Sequence, residues 1–155
     1  MKVSKEQIEK FLVQKNIVLV GVSRNPQDLT RGIYLEFKKR GYKVFPVNPY
    51  TKEIDGEICY PDVESIKEKI DAAIIFTPTL TIVNIAEDLV KKDVKNIWIH
   101  NSDGKSKILT DLVKNLKERG INIIQGYCPL MFLPDTQFFH RLHGFFVKLF
   151  GNYPS

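Results

Sequence analysis

The sequence predicts a three-layer α/β fold in which a doubly wound, mostly parallel sheet is covered by helices on both faces. Short runs such as residues 17–22 and 72–76 are continuously apolar, as in strands that are buried on both faces. Between these runs lie segments whose apolar residues recur at helical spacing, and parallel strands need crossover helices of this kind. The length of 155 residues suits a single domain.

The individual elements follow one another regularly along the chain. A first helix begins at a capping box formed by Ser4 and Gln7 and is expected to end near Asn16. The expected strands are residues 17–22, 43–47, a short segment 58–60, and residues 72–76, 96–100 and 121–125. Further helices are expected around residues 33–37 with Gly41 as the stop, from Asp62 to about residue 69, around residues 82–90, and over residues 105–119.

The composition narrows the class of protein but not the partner. With 43% hydrophobic and 26% charged residues, the chain has the composition of a soluble globular protein. The 23 basic and 18 acidic residues give a net charge of +5, which suits an anionic ligand, a nucleic acid or an acidic membrane surface. The lysines are scattered between acids along the helices, so no specific nucleic-acid binding is expected. Two cysteines, and no apolar leader or membrane-spanning run, predict a cytoplasmic protein.

Ligands of doubly wound sheets bind outside the carboxyl ends of the strands, and this rule selects the first loop. Gly21 stands where dinucleotide-binding folds begin a glycine-rich turn, but Ser23 and Pro26 replace the later glycines. Free amides at the start of the next helix, assisted by Ser23 and by Arg24 or Arg31, are expected to face a pyrophosphate. The alternative is a tight turn with solvated arginines.

The loop after the second strand argues against a nicotinamide cofactor. Nicotinamide enzymes place an acid there on the ribose, whereas this chain has Asn48 and Pro49 and no carboxylate until Glu53. Lys52 instead suits a ribose that carries a phosphate. The alternative is an exposed loop lysine without a ligand.

These residues carry a resemblance to a known family. The matching positions are Val20 to Ser23, Pro26, Gly32, Gly41, Tyr42, Pro46 to Pro49, Gly56 and Tyr60. Over about residues 10 to 130 the chain resembles the small stand-alone coenzyme A-binding proteins, which are similar to the N-terminal domain of the succinyl-coenzyme A synthetase alpha subunit. The resemblance implies a Rossmann-like fold that holds coenzyme A, free or acylated, without catalytic machinery of its own.

The resemblance also implies roles for individual residues. Gly21 and Ser23 would contact phosphates, Pro49 would border the adenosine, and Lys52 would pair with a phosphate. Thr77 and Pro78 would line the far wall. The full set of expected ligand-binding residues is Gly21, Val22, Ser23, Arg24, Arg31, Asn48, Pro49, Lys52, Thr77, Pro78 and His100. The chain departs from the family where it has Val22 and His100, and no catalytic or metal-binding residue is expected.

Two further features leave alternatives open. His100 and Cys128 follow strands at the same edge, which permits a thiolate and base, a mixed disulfide between Cys128 and the coenzyme, or two structural residues. Residues 137–150 carry large apolar side chains at helical spacing. We therefore expect a coenzyme A-binding domain over residues 1–134 and an aromatic helical tail over 135–155. The tail would dock on its own domain, on a second copy or protein partner, or reversibly on a membrane.

The sequence thus predicts a coenzyme A or acyl-coenzyme A binding protein. The competing hypotheses are an NAD(P)-binding or redox-sensing protein and an interaction module that docks through the aromatic tail.

Overall fold

The computed structural model describes residues 3–100 and 106–133 and contains a five-stranded parallel sheet. The strands are β1 (Asn16–Val20), β2 (Lys43–Val47), β5 (Ala72–Ile75), β6 (Asn96–Ile99) and β7 (Asn122–Gln125), in the order β2-β1-β5-β6-β7. Two short strands, β3 (Glu53–Ile54) and β4 (Glu57–Ile58), form a separate antiparallel hairpin. The helices are α1 (Lys5–Leu12), α2 (Leu29–Lys39), α3 (Thr79–Lys91) and α4 (Lys107–Glu118), followed by a 3-10 turn at Pro129–Met131.

The core lies in two layers, one on each face of the sheet. Successive strand residues alternate between the layers, since Ile17 and Leu19 of β1 face one side while Val18 and Val20 face the other. The first layer contains the buried residues of α1, α2 and the 3-10 turn, and the second contains those of α3 and α4. The expected doubly wound α/β fold is confirmed. The expected tail helix lies outside the described residues, as does the proposed domain of residues 135–155.

A buried amide network anchors α1 to the edge of the sheet. The capping box is present, because the Gln7 backbone donates to Ser4 Oγ and the Gln7 side chain accepts from the Ser4 amide. Asn122 Nδ2 donates to the Gln7 carbonyl at 2.9 Å and to Asn96 Oδ1 at 3.1 Å. These hydrogen bonds satisfy the side-chain donor of Asn122 and the side-chain oxygen of Asn96, both buried residues, and hold α1 beside β7.

The segment between β4 and β5 differs from the prediction, because the expected helix from Asp62 to residue 69 is absent. Asp62 accepts hydrogen bonds from the Ser65 amide and hydroxyl, but this single turn does not propagate. Val63, Ile66 and Ile70 of this segment are β-branched residues that are buried without a regular helix. As a result, no regular helix covers this part of the sheet near β2.

Within the described residues, no helix is sufficiently long and apolar to span a membrane.

Candidate functional site

A cavity in the described part of the chain lies at the carboxyl ends of β1, β2 and β5. Its volume is about 600 Å³. After β1 the chain adds β2 on one side and later β5 on the other, so the cavity occupies the point where the winding of the sheet reverses. It is lined by Val20, Gly21, Val47, Asn48, Pro49, Tyr50, Pro61, Asp62, Val63, Phe76, Thr77, Pro78, Thr81, Asn84, Ile85 and Asp88.

Gly21 allows the first strand and the wall formed after β5 to approach closely. Its φ is +96°, and its amide donates to the Val47 carbonyl at 2.9 Å. A Cβ atom at this position would lie 3.0 Å from Thr77 Cγ2 and 3.4 Å from Phe76 Cβ. Both the backbone conformation and the limited space therefore favour glycine here.

Thr77 carries an unsatisfied hydroxyl at the cavity. Its Oγ1 is buried, and no described residue is within hydrogen-bonding geometry of it. Buried hydroxyls in native proteins normally have a partner, so an unpaired one beside a cavity is a candidate contact for a bound molecule.

The start of α2 does not provide the anion site that the sequence suggested. Asp28 is the N-cap, and its Oδ1 accepts from the Thr30 amide at 2.8 Å and from the Thr30 hydroxyl at 2.7 Å. The Asp28 carbonyl accepts from the amides of Arg31 and Gly32. The expectation of free amides near Gly32 was wrong, because Asp28 accepts from the amides of Thr30, Arg31 and Gly32 and brings its own negative charge.

The two arginines of the first loop have different surroundings. Arg31 is only 6% exposed and does not line the cavity. Its guanidinium donates to the carbonyls of Ser23 and Arg24 and forms an ion pair with Asp55. Arg24 is exposed, and its guanidinium lies 6.0 Å from the ring centre of Tyr50 at the cavity.

Asn48 joins the first two loops. Its side-chain amide donates to the Val22 carbonyl at 2.8 Å, and its Oδ1 accepts from the Tyr50 amide at 2.8 Å. The Asn48 backbone amide donates to the Tyr60 carbonyl at 2.9 Å. These bonds use the polar groups of Asn48 to shape the cavity wall.

The expected binding residues thus fall into two groups. Those that line the cavity are Gly21, Asn48, Pro49, Thr77 and Pro78. Those that do not line it are Val22, Ser23, Arg24, Arg31, Lys52 and His100. His100 packs against the Phe76 ring, with ring centres 5.4 Å apart, and Lys52 is exposed.

Sequence reasoning missed the wall formed by the segment after Tyr60 and by α3. The irregular segment contributes Asp62 and Val63, and α3 contributes one face of the helix. Hydrogen bonds from Ser65 lower the pKa of Asp62, so a carboxylate borders this side of the cavity. The signal was present in α3, because Thr81, Asn84 and Asp88 recur at a spacing of three and four residues.

The cysteines do not have the features of reactive thiols. Cys59 and Cys128 are both buried and free. Burial raises the pKa of each thiol, and nucleophilic attack requires the thiolate. This environment disfavours the Cys128 thiolate considered from the sequence. Within the described ranges, no group of histidines, cysteines and acids has the arrangement of a metal site.

Comparisons with known proteins place these features in a family. The family described as CoA binding domain matches residues 15–134. An ADP-forming acetate–CoA ligase of Methanocaldococcus jannaschii is 29% identical over 74% of this chain, which spans only 17% of the ligase. The uncharacterized protein YneT of Bacillus subtilis is 25% identical, and the alignment covers 81% of this chain and 90% of YneT.

Solved structures show the same architecture. A hypothetical protein from Pyrococcus horikoshii OT3 superposes with a TM-score of 0.72 and 29% identity, covering 82% of this chain and 87% of its own. A redesigned protein, Prb, superposes with a TM-score of 0.73 and 27% identity over 97% of this chain. Since the family match extends over most of its length, the chain belongs to the CoA binding domain family.

Proposed function

We propose that the cavity binds coenzyme A, free or acylated, and that the chain is a binding module without chemistry of its own. The observation that carries this proposal is the position of the cavity. In a chain of the CoA binding domain family, it lies at the reversal point of the sheet beside Gly21 and the unpaired Thr77 hydroxyl.

The walls of the cavity suit the nucleotide end of the coenzyme. Val20, Val47 and Ile85 supply apolar surface for a base, and a few polar groups interrupt it. The backbone amides of Val22 and Arg24 have no acceptor among the described residues, so they and the Thr77 hydroxyl are available to a diphosphate.

Lys52 is assigned to the 3′-phosphate in this proposal. It lies outside the cavity on the exposed segment that follows Pro49 and Tyr50, both of which line it. An exposed ammonium beside the opening suits a phosphate that projects into solvent. The ligand would therefore be anchored by its base inside and by its phosphates at the rim.

The ligase activity of the relatives is not transferred to this chain. It spans 17% of the Methanocaldococcus ligase, and its described residues contain no group of histidines, cysteines and acids that could hold a metal ion. Two free, buried thiols suit the reducing cytoplasm, which we propose as the location of the protein.

Thermal unfolding with different ligands tests the proposal. Coenzyme A, acetyl-coenzyme A, dephospho-coenzyme A and NAD are compared at matched excess over the protein. A ligand at a hundredfold excess over its Kd stabilises the native state by about 2.7 kcal/mol. We expect coenzyme A to raise Tm, dephospho-coenzyme A to raise it less, and NAD to leave it unchanged. The rise in Tm with acetyl-coenzyme A, compared with the rise with coenzyme A, shows whether the protein prefers the acylated or the free form.

Two variants test the residue assignments, and one serves as a control. Thr77→Val keeps the shape of the side chain but removes the hydroxyl, so coenzyme A should bind more weakly. Lys52→Gln should remove the preference for coenzyme A over dephospho-coenzyme A, whereas the exposed Lys39→Gln on α2 should not. Stabilisation by NAD alone, or no stabilisation by any ligand, contradicts the proposed function.

A further inference from the structure

A buried arginine outside the cavity contacts the loop that borders it. Arg31 lies in the first turn of α2, and its Nη1 donates to the Ser23 carbonyl at 3.4 Å and to the Arg24 carbonyl at 3.2 Å. Its Nη2 pairs with Asp55 in the turn between β3 and β4. One guanidinium therefore joins the loop after β1, the helix α2 and the β3–β4 hairpin.

The hydrogen bonds of Arg31 determine the direction of a neighbouring amide. The described chain contains no cis peptide bond. In a trans peptide the carbonyl of one residue and the N–H of the next point in opposite directions. Because Arg31 holds the Ser23 carbonyl, the Arg24 N–H points away from Arg31. No described residue accepts a hydrogen bond from this N–H, and the Arg24 side chain reaches Tyr50 at the cavity.

The remaining bonds of the loop keep the peptide in this orientation. The Ser23 amide donates to Thr30 Oγ1 at 2.9 Å, and Asn48 holds the Val22 carbonyl. The Ser23 amide and the Val22 carbonyl are thus occupied within the protein, whereas the Arg24 amide is not.

Asp55 keeps the arginine in place. Arg31 is almost fully buried, and a buried guanidinium without a counter-charge is strongly unfavourable. Asp55 supplies that charge from a residue with a positive φ of 51°, so the conformation of the hairpin turn is coupled to the loop through Arg31.

We infer that Arg31 is a positioning residue that orients the Arg24 amide toward an anionic group, a diphosphate, bound at the mouth of the cavity. This inference rests on the proposed function. It adds that the affinity of the loop for phosphate depends on a side chain that does not touch the ligand.

The test compares coenzyme A binding by the full chain and three variants, using calorimetry for Kd and amide NMR for the Arg24 resonance. Arg31→Met removes all three contacts. Arg31→Lys keeps a positive charge for Asp55 but lacks the planar guanidinium that also reaches two carbonyls. This variant allows the test to be made even if Arg31→Met does not fold. Lys38→Met is the matched control, because Lys38 also links α2 to the hairpin, through Glu57, but is not bonded to the loop.

We expect Arg31→Met and Arg31→Lys to bind coenzyme A roughly tenfold more weakly, or about 1.4 kcal/mol at 25 °C, since an oriented donor to a charged group is lost. At saturation the Arg24 amide resonance should shift in wild type and in Lys38→Met but not in the Arg31 variants. Unchanged affinity in both Arg31 variants, an equal Arg24 shift in them, or an equal loss in Lys38→Met overturns the inference. No binding by wild type overturns the proposed function itself.

Discussion

The substitution Gly21→Ala tests the idea that glycine is required where β1 meets the wall of the cavity. The added methyl group would meet Thr77 Cγ2 at 3.0 Å, and the residue would have to keep a φ of +96°. Real Cβ atoms rarely approach so closely, so either the loop or Thr77 must move.

Two separate effects contribute to the loss of stability that we expect for Gly21→Ala. A non-glycine residue at positive φ costs about 1–2 kcal/mol, and an extra carbon in a packed site costs about 1–3 kcal/mol. Gly41→Ala is the matched control, because Gly41 also has a positive φ of +83° but has no atom within 4 Å of the position of its Cβ. The entropy that alanine removes from the unfolded chain is common to both variants.

Urea unfolding of the two variants and wild type measures the difference. We expect Gly21→Ala to be less stable than Gly41→Ala by about 1–3 kcal/mol, the cost of overpacking alone. Equal destabilisation of the two variants would refute the steric part of this reasoning. A stable Gly21→Ala protein with unchanged coenzyme A affinity would refute the link between this glycine and the cavity.

Three further predictions concern stability and reactivity. Asn122→Ala leaves the buried Asn96 Oδ1 without the donor that Asn122 supplies, so urea unfolding should show a loss of about 1–3 kcal/mol, and a neutral result contradicts the network. A hydrogen bond from Lys38 lowers the pKa of Glu57. The stabilisation that the Glu57 carboxylate gives the folded protein is therefore present above the unfolded pKa and is lost as the pH falls through the lowered folded pKa. The small stability difference between wild type and Glu57→Gln should therefore shrink between about pH 7 and pH 3, and a growing difference contradicts this sign. Because burial raises their thiol pKa values, Cys59 and Cys128 should resist alkylation at neutral pH until the protein unfolds, whereas rapid native labelling of Cys128 would restore the reactive-thiol hypothesis.

The strands could be predicted from the sequence because a strand that is buried on both faces consists almost entirely of apolar residues. The apolar run that contains β5 admits no charged residue, and the structure buries all four residues of that strand. The edge of the sheet that carries the cavity follows from the same pattern, since all five strands are parallel. Gly21, Asn48 and Thr77 were accessible to sequence reasoning for this reason.

The irregular segment after Tyr60 was not predictable in the same way. Val63, Ile66 and Ile70 have helical spacing, yet each is buried without a helix. The spacing of apolar residues indicates which of them face the core. An irregular segment can bury residues at the same spacing as a helix does. The conformation depended on contacts with the sheet, and these brought Asp62 and Val63 to the cavity.

The sequence by itself determined the fold class and the edge of the sheet at which the cavity lies, because these depend on burial patterns and on glycine at local turns, and its motifs indicated the family. Only the tertiary structure decided what the polar side chains do. Arg31 was an expected phosphate ligand, but Asp55, distant in sequence, pairs with it and directs it to loop carbonyls instead. A charged side chain takes the partner that folding brings within reach, and the sequence does not contain that distance.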